Sequence, residues 1–111
     1  MKAIVLHNNG GPEALKYQTI ATPEPGPGEV LVRVYAAGVN HVDIDIRNGI
    51  SGMDGVFPHI LGVDAAGDVA KVGPGVRQWK KGDRVAPHFI LSCGVCKNCI
   101  AGKENICLSF G

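Results

Sequence analysis

All four cysteines of this 111-residue chain lie within one short stretch near its end. They are Cys93, Cys96, Cys99 and Cys107, with the spacing C-x2-C-x2-C-x7-C. Thiolates are preferred ligands of Zn2+, and four of them around one tetrahedral ion form the closed shell that is typical of a structural site. The spacing therefore predicts one structural zinc held by all four cysteines, with no coordination position left for a substrate.

Two other uses of clustered cysteines have to be weighed against zinc. Bacterial ferredoxins also contain C-x2-C-x2-C, but their fourth cysteine follows after about three residues and precedes a proline. Here it follows after seven residues and precedes Leu108. Disulfides are uncommon in the reducing cytoplasm. Zinc is therefore favoured over an iron–sulfur cluster and over redox or disulfide chemistry, and Gly94 and Gly102 would permit the tight turns that such a loop needs.

The loop from residue 92 to 108 contains few side chains that could order it by burial. Its large apolar residues are Val95, Ile100, Ile106 and Leu108. Ordering the backbone of a residue costs roughly 1–2 kcal/mol, so these four side chains cannot order the whole loop, whereas zinc binding has the required magnitude. We therefore expect the loop to depend on the metal and the preceding strands to be independent of it.

Composition and charge restrict the class of protein. Hydrophobic residues make up 45% of the chain, and the formal net charge is +1. Such a balance gives no electrostatic footprint for nucleic acid or a membrane surface. No run approaches the roughly 18 apolar residues of a membrane span, and the apolar run near the N-terminus is too short for a signal peptide. The sequence therefore predicts a cytoplasmic protein that binds neither nucleic acid nor membrane.

Alternating hydrophobic residues and frequent turns predict a mostly β fold. One helix candidate covers residues 40–49, with Asn40 as N-cap, Asp43 in the first turn and Gly49 beyond its end. Short connections between the strands favour an antiparallel barrel or sandwich with the cysteine loop appended. The predicted strands are residues 1–7, 15–21, 29–39, 64–73 and 83–90.

Three stretches of the sequence together resemble one family. They are PEPGPGEVLVRVYAAGVNHVD, PHILGVDAAGDVAKVGPGVRQWKKGDRV and CGVCKNCIAGKENIC. In this order they resemble the N-terminal domain of zinc-type alcohol dehydrogenases and their quinone oxidoreductase relatives, the medium-chain dehydrogenases/reductases. The resemblance implies a GroES-like, partly open β-barrel and a structural zinc in the four-cysteine loop. It also implies catalysis in a cleft beside a C-terminal Rossmann domain that binds NAD(H) or NADP(H).

The chain departs from this family where a catalytic zinc would be bound. The family's first ligand is the Cys of a G-V-C-x-x-D stretch, and the corresponding residue here is Asn40. The second is the His of a G-H-E stretch, and here it is Val63, which has no donor atom. The resemblance thus implies a structural zinc without a conventional catalytic zinc. This pattern is similar to the zinc-independent quinone reductase branch, although that branch usually lacks the four-cysteine loop.

The resemblance also suggests roles for individual residues, each beside a plainer one. Asn40 and Asp43 are expected to line the substrate cleft, with the Asn40 amide donating to a carbonyl oxygen, although both residues also suit a helix cap. His41 is expected near the cofactor phosphates, or else faces solvent in the first helical turn. Asp64 is expected to accept an internal hydrogen bond or salt bridge, because no zinc is expected beside it.

The sequence contains no G-x-G-x-x-G fingerprint of a dinucleotide-binding domain. We therefore expect residues 1–111 to be an incomplete catalytic domain, inactive alone, of an NAD(P)-dependent and oligomeric oxidoreductase. Its substrate would be a small carbonyl compound, enone, quinone or alcohol. Two alternatives stay open: an alcohol dehydrogenase with a metal site rearranged from His41, His59 or Asp64, and a stand-alone zinc-stabilised binding module.

Overall fold

A computed structural model describes residues 1–50 and 56–109 of the chain. The N-terminal part forms an antiparallel hairpin of β1 (Lys2–Leu6) and β2 (Leu15–Thr19). A single 3-10 turn at Pro12–Ala14 lies in the connection, and Leu6 faces Leu15 across the pair. These two strands are confirmed close to their predicted positions.

The second sheet has three antiparallel strands in the order β3-β4-β5. Its members are β3 (Val30–Ala37), β4 (Ala65–Val72) and β5 (Arg84–Val85). The β3–β4 ladder contains two irregularities, because Tyr35 on β3 and Ala70 on β4 have no residue opposite them. Such bulges bend the strands and increase their twist.

The last predicted strand is much shorter than expected. Residues 83–90 were predicted to be extended, but only Arg84 and Val85 pair with β4. Pro87 comes two residues after Val85 and has no N–H to donate to the ladder. The prediction was therefore wrong for residues 86–90, because the apolar pattern continued through a proline that ends the pairing.

The predicted helix is present as α1 (His41–Asn48). Asn40 before it has extended backbone angles, and Gly49 after it adopts a φ of 77°, the left-handed conformation that ends many helices. The backbone N–H of Asn40 donates to Oδ2 of Asp43 at 2.8 Å. The helix is fixed to the first hairpin, because Gly10 N–H donates to the carbonyl of Arg47 at 2.9 Å.

The two sheets are linked without forming a closed barrel. Leu6 and His59 exchange two backbone hydrogen bonds of 2.8 Å, which connect β1 to the chain that leads into β4. The small apolar core is made of Val5, Leu6, Ala14, Ile46 and Val69. A mostly β, partly open barrel with short helices is therefore confirmed. None of the helices in the described ranges has the length and apolar character that crossing a bilayer requires.

The cysteine stretch is more regular than the loop predicted there. It contains a short helix, α2 (Lys97–Ile100), followed by a 3-10 turn at Glu104–Ile106. Gly94 and Gly102 have φ values of 72° and 71°, so both adopt the left-handed conformation expected of them. These turns fold the stretch back on itself and bring the four cysteines together.

Candidate metal centre and adjoining cleft

The four cysteine sulfurs lie within 4.8 Å of one another. The Cys96 and Cys99 sulfurs are 3.5 Å apart, and those of Cys93 and Cys99 are 4.0 Å apart. Four ligands at a Zn–S distance of about 2.3 Å in a tetrahedron have sulfurs about 3.8 Å from one another. All four thiols are free of disulfide bonds. The cluster therefore has the ligand number, ligand type and spacing that a single Zn2+ requires.

An iron–sulfur cluster fits this geometry less well. Its four thiolates are divided among two or more iron atoms, which places some of their sulfurs farther apart than the ligands of one ion. The sulfur separations found here match one shared ion. With four protein ligands the coordination shell of that ion is complete, so the residues present suit a structural metal.

Backbone N–H groups surround the sulfurs and were not anticipated from the sequence. Cys96 N–H donates to Cys93 Sγ at 3.3 Å, and Cys99 N–H donates to Cys96 Sγ at 3.5 Å. On the other side, Cys107 Sγ accepts from the N–H groups of Cys93 at 3.3 Å and Ser109 at 3.4 Å. Such outer-shell donors orient metal ligands and favour the thiolate form. The C-x2-C spacing could have indicated one of these donors. Cys96 is the N-cap of α2, and its sulfur accepts from the backbone N–H of Cys99, three positions further on.

Backbone N–H groups and burial give the four thiols different pKa values. Backbone N–H groups of Leu108 and Cys99 lower the pKa of Cys96 to about 6. The N–H groups of Val95 and Cys96 lower the pKa of Cys93. Burial raises the pKa of Cys99 to about 12, and its thiol neighbours act in the same direction. Four adjacent thiols do not all ionise readily on their own, whereas a divalent cation between them would hold them as thiolates.

The stretches 38–43 and 62–64, in which the chain departs from the family pattern, are joined by hydrogen bonds. Gly38 N–H donates to the carbonyl of Asp64 at 3.2 Å, and Nδ2 of Asn40 donates to Oδ2 of Asp64 at 2.6 Å. Asp64 thus accepts an internal hydrogen bond, as expected. One N–H of the Asn40 amide is engaged by this carboxylate. Its second N–H is the one that could serve a substrate carbonyl, and that role stays a prediction.

An apolar cleft of about 410 Å³ lies beside α1. Asp43 is in its wall and is buried, with a relative exposure of only 7%. Oδ2 of Asp43 accepts from Asn40 N–H, whereas Oδ1 is shielded from solvent and has no hydrogen-bond partner in the described part of the chain. The apolar side chains that line the cleft are Ile4, Leu15, Ala37, Val39, Ile44 and Leu61.

The histidines near this region are not gathered around it. The His41 side chain is exposed and lies 3.5 Å from Asp45, one turn along α1. His59 is tied to Leu6 through its backbone. Over residues 1–50 and 56–109, the four cysteines are the only group of three or more metal-binding side chains close enough to share an ion. The structure therefore does not bring His41, His59 and Asp64 together as a metal site, and a cofactor contact of His41 stays a prediction.

Comparison with known proteins identifies the family. The model of the alcohol dehydrogenase GroES-like domain matches residues 26–111, so the chain belongs to this family. An alcohol dehydrogenase of Schizosaccharomyces pombe is 42% identical over 106 residues, which cover 95% of this chain and 30% of that protein. A quinone oxidoreductase of Sus scrofa is 41% identical over 107 residues, which cover 96% of this chain and 32% of that protein.

The solved structures agree with this assignment. An NAD-dependent alcohol dehydrogenase superposes with a TM-score of 0.87 at 44% identity, covering 100% of this chain and 32% of that one. The chain thus spans about a third of the length of the relatives it matches. The resemblance to the N-terminal domain of medium-chain dehydrogenases/reductases is confirmed, and these relatives are oxidoreductases.

Proposed function

We propose that this chain is the catalytic-domain part of an NAD(P)-dependent oxidoreductase that acts on a small carbonyl compound, enone, quinone or alcohol. The observation that carries the proposal is the pair of hydrogen bonds from Gly38 and Asn40 to Asp64, next to an apolar cleft whose wall contains Gly38 and Asp43. Such a cleft with a few polar groups in its wall is the usual form of a small-molecule site. Family membership supplies the reaction class, and the relatives supply both alcohol and quinone as substrates.

The chain's own residues would orient the substrate and stabilise charge on its oxygen. A nicotinamide cofactor, when bound, supplies or accepts the hydride. Negative charge then develops on the carbonyl oxygen of a substrate that is being reduced, and a fixed N–H donor favours that state. Asn40 has its amide held in place by Asp64, which leaves its second N–H for this purpose. Asp43 contributes to the wall of the cleft and to the start of α1.

The metal part of the proposal is one structural zinc and no conventional catalytic zinc. The four cysteines would hold the structural ion, for which their spacing is suitable. At the position of the family's catalytic ligands, an amide at Asn40 and a valine at Val63 replace a thiolate and an imidazole. The side chain of Val63 cannot bind a metal. Hydrogen-bond donors of the protein would therefore polarise the substrate in place of a zinc ion.

The test is hydride transfer by the protein of the complete reading frame. We expect oxidation of NADH or NADPH with quinones or enones, or reduction of NAD+ or NADP+ with alcohols. Removing one donor to a developing oxyanion lowers kcat by roughly 100- to 1000-fold, so Asn40→Ala should fall in this range. Asn8→Ala is the matched control, because Asn8 is exposed and only donates to the carbonyl of its neighbour. No hydride transfer with any of these substrates would refute the proposed function, and full activity of Asn40→Ala would refute the role of Asn40.

A further inference from the structure

One side-chain hydrogen bond of the cysteine stretch has no part in the proposed function. Nδ2 of Asn98, on α2, donates to the backbone carbonyl of Ile106 at 2.7 Å. A carbonyl oxygen only accepts, so the amide of Asn98 must present its NH2 group on this side. Ile106 directly precedes Cys107. The bond therefore connects the helix that contains Cys99 to the backbone beside the last candidate ligand.

Few other contacts hold residues 104–109, which we name the Cys107 segment. Between this segment and residues 92–100, every other hydrogen bond that the structure describes has a cysteine sulfur as its acceptor. Apolar packing adds little, since Ile106 and Leu108 are 53% and 64% exposed. Apart from the sulfurs, the Asn98 amide is thus the group that fixes the Cys107 segment to α2.

The other three cysteines are positioned without the Asn98 side chain. Cys96 N–H donates to Cys93 Sγ at 3.3 Å, and Cys99 N–H donates to Cys96 Sγ at 3.5 Å. These contacts are local in sequence and persist as long as α2 is formed. Cys107 follows Cys99 only after seven intervening residues. It is therefore the ligand whose position depends on a contact across the stretch.

Release of a metal from four thiolates begins when one ligand separates from the ion. Local opening is most frequent where a segment has few contacts, which here is the Cys107 segment. We propose that Asn98 is a positioning residue that holds Cys107 on the metal and thereby sets the rate of metal release. The inference rests on the structural-zinc part of the proposed function, and it assigns a role to a residue that is not itself a ligand.

The experiment measures zinc transfer from the purified, zinc-loaded chain to an excess of a chromogenic chelator. We expect Asn98→Ala to release zinc roughly three- to tenfold faster than the unaltered chain, the factor that the loss of one neutral hydrogen bond supplies. Asn98→Asp should release it faster still, because its carboxylate would face the Ile106 carbonyl and the net negative charge of four thiolates and one divalent ion. Equal release rates in Asn98→Ala and the unaltered chain would overturn the inference.

Asn105→Ala is the matched control. Asn105 is exposed on the 3-10 turn, and its side chain makes no hydrogen bond within residues 1–50 and 56–109. This variant removes the same type of side chain from the same stretch, so its release rate should equal that of the unaltered chain. An acceleration as large as that of Asn98→Ala would show that any truncation here loosens the metal, and would overturn the specific role of Asn98.

Site-resolved alkylation distinguishes a hold on Cys107 from a general loosening of the stretch. Zinc-loaded chains are treated with iodoacetamide, and modification of each cysteine is followed by mass spectrometry. In Asn98→Ala the alkylation rate of Cys107 should rise more than the rates of Cys96 and Cys99, because the local contact between those two remains. Equal increases at all three cysteines would overturn the inference.

The role of Asn98 and the zinc assignment can fail separately. Zinc in the unaltered chain, together with an unchanged release rate in Asn98→Ala, would reject the role of Asn98 and leave the zinc site standing. Absence of zinc from the unaltered chain would reject both. Hydride transfer by the complete protein tests the oxidoreductase proposal independently of these rates.

Discussion

Cys107 completes the candidate metal centre from the far end of the cysteine stretch. Its sulfur accepts from the N–H groups of Cys93 and Ser109, at 3.3 and 3.4 Å. It thereby connects the beginning of the stretch to its end. Around it, Val95 and Ile100 are each 76% exposed, and Ile106 and Leu108 are also largely exposed. Burial of these side chains contributes little, so the cysteine cluster is the main source of order in this part of the chain.

Replacing Cys107 should disorder the cysteine stretch and leave the rest of the domain folded. We expect Cys107→Ser to release zinc and to remove hydrogen-exchange protection from residues 92–108, because a three-thiolate site binds the ion less well and no apolar core replaces it. Residues 1–90 should keep their protection, since the strands are paired independently of the metal. Native-state hydrogen exchange measures both effects.

Ser109→Ala is the control for this substitution. Ser109 acts on the sulfur through its backbone N–H, which alanine retains. Zinc content and protection should therefore be unchanged in this variant. Loss of protection across β1 to β5 in Cys107→Ser would show that the metal holds the whole domain, contrary to this division.

Individual residues differ in how far the sequence could define their roles. The cysteines were identifiable because four thiols at such short spacing rarely serve any purpose except metal binding. The Asn40–Asp64 hydrogen bond and the isolated Oδ1 of Asp43 depend on how stretches some twenty residues apart approach each other. Sequence patterns carry no information on such side-chain geometry, so a plausible cap residue could not be distinguished from a cleft residue in advance.

Among the elements, the β3–β4 ladder depends on one close approach. Gly67 on β4 lies opposite Val34 on β3. A Cβ atom on Gly67 would overlap the backbone carbonyl oxygen of Arg33. Because a backbone group cannot turn away as a side chain can, only glycine fits this position without a shift of the two strands.

We therefore expect Gly67→Ala to destabilise the domain by about 1–3 kcal/mol, the usual cost of overpacking. Denaturant unfolding of the chain measures this difference. Gly26→Ala is the matched control, since its Cβ would lie 3.2 Å from Oε2 of Glu29, at the end of a flexible side chain. Equal stabilities of the two variants would show that β3 and β4 can separate at this point without cost.

Strand existence was easier to predict than strand length. The alternating residues of β3 and β4 indicated strands that the structure contains. The bulges at Tyr35 and Ala70 arise from pairing between distant segments, and a single strand does not reveal them. For β5 the sequence did contain a signal, because Pro87 cannot donate to the ladder and the pairing ends before it.

At the scale of the whole molecule, the chain is less compact than its length suggests. Its radius of gyration is 15.7 Å, whereas a compact domain of this length has about 13 Å. The principal extents of 42 × 32 × 21 Å show the same elongation. Among the residues that the structure describes, few large apolar side chains are fully buried, and many are exposed, including Val39, Phe89 and Leu91.

We expect the metal to remain bound to the protein during purification. We expect elemental analysis to give close to one zinc per chain and no iron, because the four sulfurs match one ion. Metal release should increase as the pH falls, since protons compete with the metal for the thiolates. Iron with acid-labile sulfide would contradict the zinc assignment, and two zinc ions per chain would contradict the absence of a conventional catalytic metal.

The exposed apolar surface also has a consequence for how the chain responds to temperature. The heat capacity of unfolding reflects mainly apolar groups that enter water only when the chain unfolds. Side chains such as Val39 and Leu91 are already in water in the folded state. The heat-capacity change should therefore fall below the ordinary 1.2–1.5 kcal/mol/K or so per 100 residues. We therefore expect the stability curve of this chain to be broad and shallow, with cold and heat changing its stability less steeply than that of a well-packed domain of equal length.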